Sequence, residues 1–146
     1  MKSTGSCLCR AVEYVVNGEA VQVLNCHCTL CREMNGSAFS TYVVIPAQHV
    51  RIVQGESSVV HYAATERASR HFCKHCGTAI FNSNPTTYPG LYMLYLGTLH
   101  NASQLTPAMN IYCDSKLTWI DGIKDMKTFA QAPRQKRSAS EISSPN

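Results

Sequence analysis

Apolar residues along this chain recur in short runs, many alternating with polar ones, and not in helical stripes. Tyr14-Val15-Val16, Tyr42-Val43-Val44-Ile45 and Leu91-Tyr92-Met93-Leu94-Tyr95 are rich in the β-branched and aromatic residues that suit a pleated, half-buried surface. The pattern predicts strands over 10–16, 21–25, 39–45, 49–54, 58–63, 79–83, 91–97 and 109–113. Asn17-Gly18, Pro46, Gly55, Pro85 and Pro89-Gly90 supply the turns between them. Asn17-Gly18, flanked by apolar runs, predicts a hairpin joining the first two strands. A single short helix is expected over 29–35, with Thr29 as its cap and Gly36 as the left-handed residue that ends it. Short strands at this spacing predict a mainly β fold of antiparallel sheets, with no strand–helix alternation to suggest a parallel one.

Length and composition narrow this further. A chain of 146 residues corresponds to one domain. Its composition changes near residue 132. The stretch 133–146 holds one large apolar residue, Ile142, and reads as a flexible basic tail behind a domain spanning 1–132. With 45% hydrophobic and 15% charged residues, a wholly disordered chain is excluded. No apolar run approaches the ~18 residues of a membrane span, and the first residues form no secretory leader. The expectation is a soluble, cytoplasmic protein with no membrane partner. The net charge of +4 owes much to Arg134, Lys136 and Arg137 in the tail, which is too weak a bias to predict nucleic-acid binding.

The cysteines change the picture more. Seven of the 8 fall into three groups: Cys7-Leu8-Cys9, Cys26-His27-Cys28-Thr29-Leu30-Cys31 and Cys73-Lys74-His75-Cys76. In a reducing compartment such clustering points to metal or catalysis and away from disulfides. The last group, followed by Gly77, has the form of a zinc knuckle. Cys7 and Cys9 with Cys73 and Cys76 provide four thiolates, the number that closes a structural zinc site. Cys26, Cys28 and Cys31 leave three, and three protein ligands with an open position is the arrangement of catalytic zinc. Cys113 stands alone. It is either a fourth ligand to the triple, which would close that site, or an ordinary strand cysteine; its isolation favours the second. His27, between two ligand positions, is expected on the opposite face of an extended chain, in a packing or supporting role. Arg32 and Arg70 adjoin the clusters and are candidates to hold substrate carboxylates, or else to bond nearby backbone.

These motifs, from Gly5-Ser6-Cys7-Leu8-Cys9 through Cys26–Arg32 to Arg70-His71-Phe72-Cys73-Lys74-His75-Cys76-Gly77-Thr78, resemble the glutathione-dependent formaldehyde-activating enzyme family, whose domain centromere protein V also carries. Leu94-Tyr95-Leu96-Gly97-Thr98-Leu99 and Asp114-Ser115-Lys116-Leu117-Thr118-Trp119 resemble its later segments. The resemblance implies an Mss4-like fold, two sheets leaning together with zinc at the edges. It implies two zinc ions, with Cys7, Cys9, Cys73 and Cys76 matching structural ligands and Cys26, Cys28 and Cys31 matching the ligands of the catalytic ion. The implied activity is that of a carbon–sulfur lyase on S-hydroxymethylglutathione, formed from glutathione and formaldehyde. Three departures stand out: Arg10 where the family has glycine, Leu99-His100 for its usual Leu-Asp, and Met109-Asn110 where a histidine is common. A zinc-stabilised binding module without catalysis is the alternative reading.

Overall fold

The structure, a computed structural model, describes residues 2–132. The proposed tail 133–146 lies outside the described residues. Ten strands form two sheets: β1 (Lys2–Ser6), β2 (Glu13–Asn17), β3 (Gln22–Cys26), β4 (Ser40–Pro46), β5 (Val50–Gln54), β6 (Val59–Ala63), β7 (Ser69–Cys73), β8 (Ala79–Ser83), β9 (Leu91–Tyr95) and β10 (Met109–Ile111). The only α-helix among the described residues, α1, spans Thr29–Asn35. The three-stranded sheet runs β1-β2-β5 and the larger one β10-β3-β4-β9-β8-β7-β6. The fold is mainly β, as the alternation predicts.

Four details differ from the expectations. Asn17-Gly18 does not make a hairpin: β2 pairs with β1 and β5, whereas β3 pairs with β4 and β10. The chain therefore changes sheet at this turn. A Cβ at Gly18 would overlap the ring of His49, so this glycine serves close packing. Secondly, β10 pairs with β3 in parallel, Ile111 beside Cys26, and it stops at Ile111 because Tyr112 turns left-handed at φ 57°. Thirdly, β1 and β7 form strands although neither shows the alternation. Lastly, the cap of α1 is Cys28, whose sulfur accepts from the Cys31 amide; Gly36, at φ 61°, ends the helix.

The main core lies between the sheets. Val12, Tyr14 and Val16 from the smaller sheet side meet Val43, Ile45, Ile80, Phe81 and Leu94, with Cys7 and Cys73 in the same cluster. On β4 and β9 the neighbouring positions point the other way, so Tyr42 and Tyr95, a cross-strand pair, fill a second cluster with Cys26. Both faces of the larger sheet's centre are thus buried. The second face carries the cysteines of the triple.

Candidate metal centres

The C-x-C at Cys7 and Cys9 lies in a turn, not on an extended chain. The Arg10 amide bonds the Cys7 carbonyl at 3.0 Å, and the Cys7 amide bonds that of Val12 at 3.0 Å. This fold-back needs a left-handed residue after Cys9, and Arg10 adopts it at φ 60°. The departure from the family's glycine therefore falls where a side chain is strained. Across the molecule, β7 ends at Cys73, and the Gly77 amide bonds the Cys73 carbonyl at 2.8 Å to close the knuckle. The four sulfurs of Cys7, Cys9, Cys73 and Cys76 all lie within 4.8 Å of one another. Cys7 to Cys9 is 3.5 Å and Cys9 to Cys73 3.8 Å. Zinc–sulfur bonds of about 2.3 Å in a tetrahedron place sulfurs roughly 3.8 Å apart, so this donor set fits the ion.

The second group is built by the junction of β3 and α1. Cys26 ends β3, Cys28 caps α1 and Cys31 lies in its first turn. Their sulfurs also lie within 4.8 Å of one another, with Cys26 to Cys28 at 3.6 Å. Cys113 does not belong to this group and is exposed. Three thiolates at this spacing suit one ion and leave one position of a tetrahedron free.

Within each cluster the sulfurs share protons unevenly. Cys76 is brought down to about 5, chiefly by the Thr78 hydroxyl, then by backbone amides. The Cys26 thiol is brought down to about 6, chiefly by the Cys31 thiol that donates to it, while Cys31 itself is raised by that same bond and by burial. One thiolate per cluster is thus ready at neutral pH, and binding an ion would release the remaining protons.

His27 is buried and packs on Phe39 with ring centroids 5.2 Å apart. Its Nε2 donates to Asn110 Oδ1 at 3.1 Å, the same oxygen that accepts from Asn25 Nδ2. Asn110, at one departure from the family pattern, thereby orients the histidine between two ligand candidates. His100, at another, sits 2.8 Å from the Thr4 hydroxyl and 3.2 Å from that of Ser6, so it ties β1 to the segment after β9. His75 is exposed and bonds Ser58.

Two grooves border this region. The larger, about 560 Å³, runs from Asn35, Ser37 and Phe39 past Tyr95 to Arg70 and Thr78. A second, about 400 Å³, is lined by Thr29, Arg32, Glu33, Ser37, Leu117 and Trp119. Arg70 donates to the Gly77 carbonyl at 3.3 Å and Arg32 to the Thr29 hydroxyl at 3.3 Å. Each keeps a buried Nε with no partner in the protein. A buried donor without an acceptor is costly.

Sequence reasoning missed a buried polar network beneath the triple. Asn82 Nδ2 donates to the Tyr42 hydroxyl at 2.8 Å, and that hydroxyl lies 3.4 Å from the Cys31 sulfur. Tyr95 completes it, 3.4 Å from Asn82 Oδ1.

A family model described as glutathione-dependent formaldehyde-activating enzyme matches residues 2–115. The chain belongs to the glutathione-dependent formaldehyde-activating enzyme family. Among curated relatives, an uncharacterized lyase of Schizosaccharomyces pombe is 34% identical over 77 residues, covering 53% of this chain and 54% of its own. A Colletotrichum graminicola protein, provisionally named glutathione-dependent formaldehyde-activating enzyme, is 28% identical over 94 residues, covering 62% and 49%. The matches span about half the length of these relatives. The crystal structure of a Rhodobacter sphaeroides protein superposes with a TM-score of 0.57 at 23% identity, covering 73% of this chain and 98% of that one, which shows a shared fold. No helix among the described residues is long and apolar enough to cross a membrane.

Proposed function

We propose that this protein is a carbon–sulfur lyase acting on the adduct of a small thiol and a small aldehyde, with glutathione and formaldehyde as the pair. The observation that carries the reading is the convergence of Cys26, Cys28 and Cys31 on one point without a fourth cysteine, in a chain of this family. In this reading Cys7, Cys9, Cys73 and Cys76 hold a structural zinc ion and the triple holds a catalytic one. Zinc at the triple would supply deprotonation of the substrate thiol near neutral pH.

The reaction joins the thiol sulfur to the carbonyl carbon; the carbonyl π pair moves to oxygen, which takes up a proton, and cleavage is the reverse. Binding and orientation fall to the arginines. Glutathione carries two carboxylates, and Arg70 and Arg32 line two grooves that share Ser37. Phe39 and Tyr95 wall part of the larger groove. Among the described residues no Asp, Glu or His lines it, and in this reading protons exchange with solvent. The thiolate clusters suit a reducing, cytoplasmic setting.

Cobalt substitution tests this. Glutathione should change the visible spectrum of the cobalt protein saturably, the change should vanish in Cys28→Ser, and it should persist in Cys113→Ser. A spectrum indifferent to every small thiol would leave a two-metal scaffold and refute the lyase.

A further inference from the structure

The three sulfurs of the open cluster each have a hydrogen-bond donor, but not of the same kind. Cys26 is served by the Cys28 amide, and Cys28 by the Cys31 amide at 3.3 Å. Both donors come from the backbone of the strand–helix junction itself. Cys31 depends on a side chain: the Tyr42 hydroxyl, 3.4 Å away on β4.

The direction of that bond is set from behind. Asn82 donates its Nδ2 hydrogen to the Tyr42 oxygen at 2.8 Å, while Asn82 Oδ1 accepts from the Tyr95 hydroxyl at 3.4 Å. With its oxygen engaged as an acceptor, Tyr42 has one hydrogen to give, and the Cys31 sulfur at 3.4 Å is the better placed acceptor, 3.4 Å being short for a sulfur contact and the 3.5 Å to the Tyr95 hydroxyl long for one to oxygen. All three residues are at least nine-tenths buried, so no water competes. Bonds aligned in this sense reinforce one another. The residues lie on three adjacent strands, β4, β9 and β8, and Tyr42 faces Tyr95 directly in the register.

A hydrogen bond to a metal-held thiolate draws electron density from sulfur. We infer that Tyr42, oriented by Asn82, is a positioning residue that holds Cys31 as a ligand and suppresses its reactivity toward electrophiles. This inference rests on the lyase reading for its purpose. A site that brings an aldehyde beside four thiolates must let the substrate sulfur react and keep its own ligands from doing so. The backbone does this for Cys26 and Cys28; Tyr42 does it for Cys31.

The test follows alkylation of the zinc-loaded protein by iodoacetamide, resolved cysteine by cysteine with peptide mass spectrometry in slight excess zinc. Tyr42→Phe should accelerate labelling of Cys31 by roughly three- to tenfold, the worth of one ordinary hydrogen bond. Cys26 and Cys28 should be unchanged, and Cys7, Cys9, Cys73 and Cys76 serve as internal references. In the cobalt protein the thiolate charge-transfer band of the triple should move to lower energy. Asn82→Asp keeps the tyrosine but offers its hydroxyl a carboxylate, which should turn the hydrogen away from sulfur and give the same selective gain at Cys31. Tyr95→Phe keeps both the Tyr42 donor and its Asn82 partner and removes the competing acceptor, so it should leave Cys31 labelling unchanged or slower. Equal acceleration at all three cysteines would mean a merely loosened cluster and overturn the inference, as would no acceleration in either Tyr42→Phe or Asn82→Asp. The glutathione titration is read separately. A cobalt site blind to thiols alongside selective Cys31 labelling would remove the lyase and leave the role of Tyr42 standing.

Discussion

Replacing Cys73 and replacing Cys31 should have different consequences, although each removes one sulfur from a cluster able to hold a metal ion. Cys73 belongs to a site that links residues 64 apart, Cys9 to Cys73, and so joins the start of the chain to its middle. Cys31 belongs to a site whose ligands all fall within one short segment. A cross-link closing a loop of about 64 residues constrains the unfolded chain by roughly 4 kcal/mol, whereas one closing a loop of about six contributes roughly 2 kcal/mol. Cys73 is also fully buried in the main core, so a serine there places a hydroxyl among apolar side chains at a further cost of about 1–3 kcal/mol. Cys73→Ser should then lose on the order of 5–7 kcal/mol and Cys31→Ser about 2 kcal/mol, a gap of roughly 10–15 °C in melting temperature for a domain of this size. Urea titration followed by circular dichroism in excess zinc reads the stability, and mass spectrometry of the intact protein reads the metal content. Cys31→Ser should remain folded, keep one zinc ion and lose lyase activity. If both variants unfold at the same denaturant concentration, the division into a framework site and a working site is refuted.

Three further outcomes follow from the geometry. A Cβ at Gly55 would lie 1.9 Å from the Ala11 carbonyl oxygen, beside the Cys7–Cys9 turn, whereas Gly36, with a similar positive φ, has nothing within 4 Å. Gly55→Ala should therefore destabilise by roughly 3 kcal/mol or more and loosen metal at the four-cysteine site, and Gly36→Ala by only about 1 kcal/mol, as thermal melts and metal content would show. Arg10→Gly should stabilise the fold by about 0.5–1 kcal/mol in urea titration, because relief of the left-handed strain exceeds the loss of an exposed pair with Glu13. Arg70→Ala should raise KM for the thiol adduct about tenfold or more with little change in kcat, since a carboxylate contact of this kind is made equally in the ground and transition states.

The sequence made the cysteine partition readable because ligand number and spacing are local properties: two doublets and a triple need no tertiary knowledge to be counted. Strands with a buried face were equally plain. What stayed hidden was set by distant partners. β1, Lys2-Ser3-Thr4-Gly5-Ser6, carries no apolar residue and becomes a strand because β2 and His100 supply its hydrogen bonds. β7 begins Ser69-Arg70-His71 and is a strand only because β6 and β8 enclose it. Asn17-Gly18 has the composition of a hairpin, yet the chain crosses there to another sheet, a choice made by core packing and not by the turn. Tyr42 announces a strand and nothing more. Its hydroxyl meets both Cys31, 11 positions earlier, and Asn82, 40 positions later.

The two clusters also differ in when they can exist. A chain is made from its N-terminus at about 5–20 residues per second, so Cys26, Cys28 and Cys31 emerge together, several seconds before Cys76 completes the four-cysteine group. The strand that backs the triple, β10, comes later still, with the Ile111 carbonyl accepting from the His27 amide at 3.0 Å. For that interval the nascent chain displays a local three-thiolate chelator with no fold around it. Tyr42 joins it soon afterwards, but Asn82 and Tyr95 arrive only after the four-cysteine group is complete. Metal captured during synthesis would thus reach the three-cysteine site first, before the sheet around it has formed.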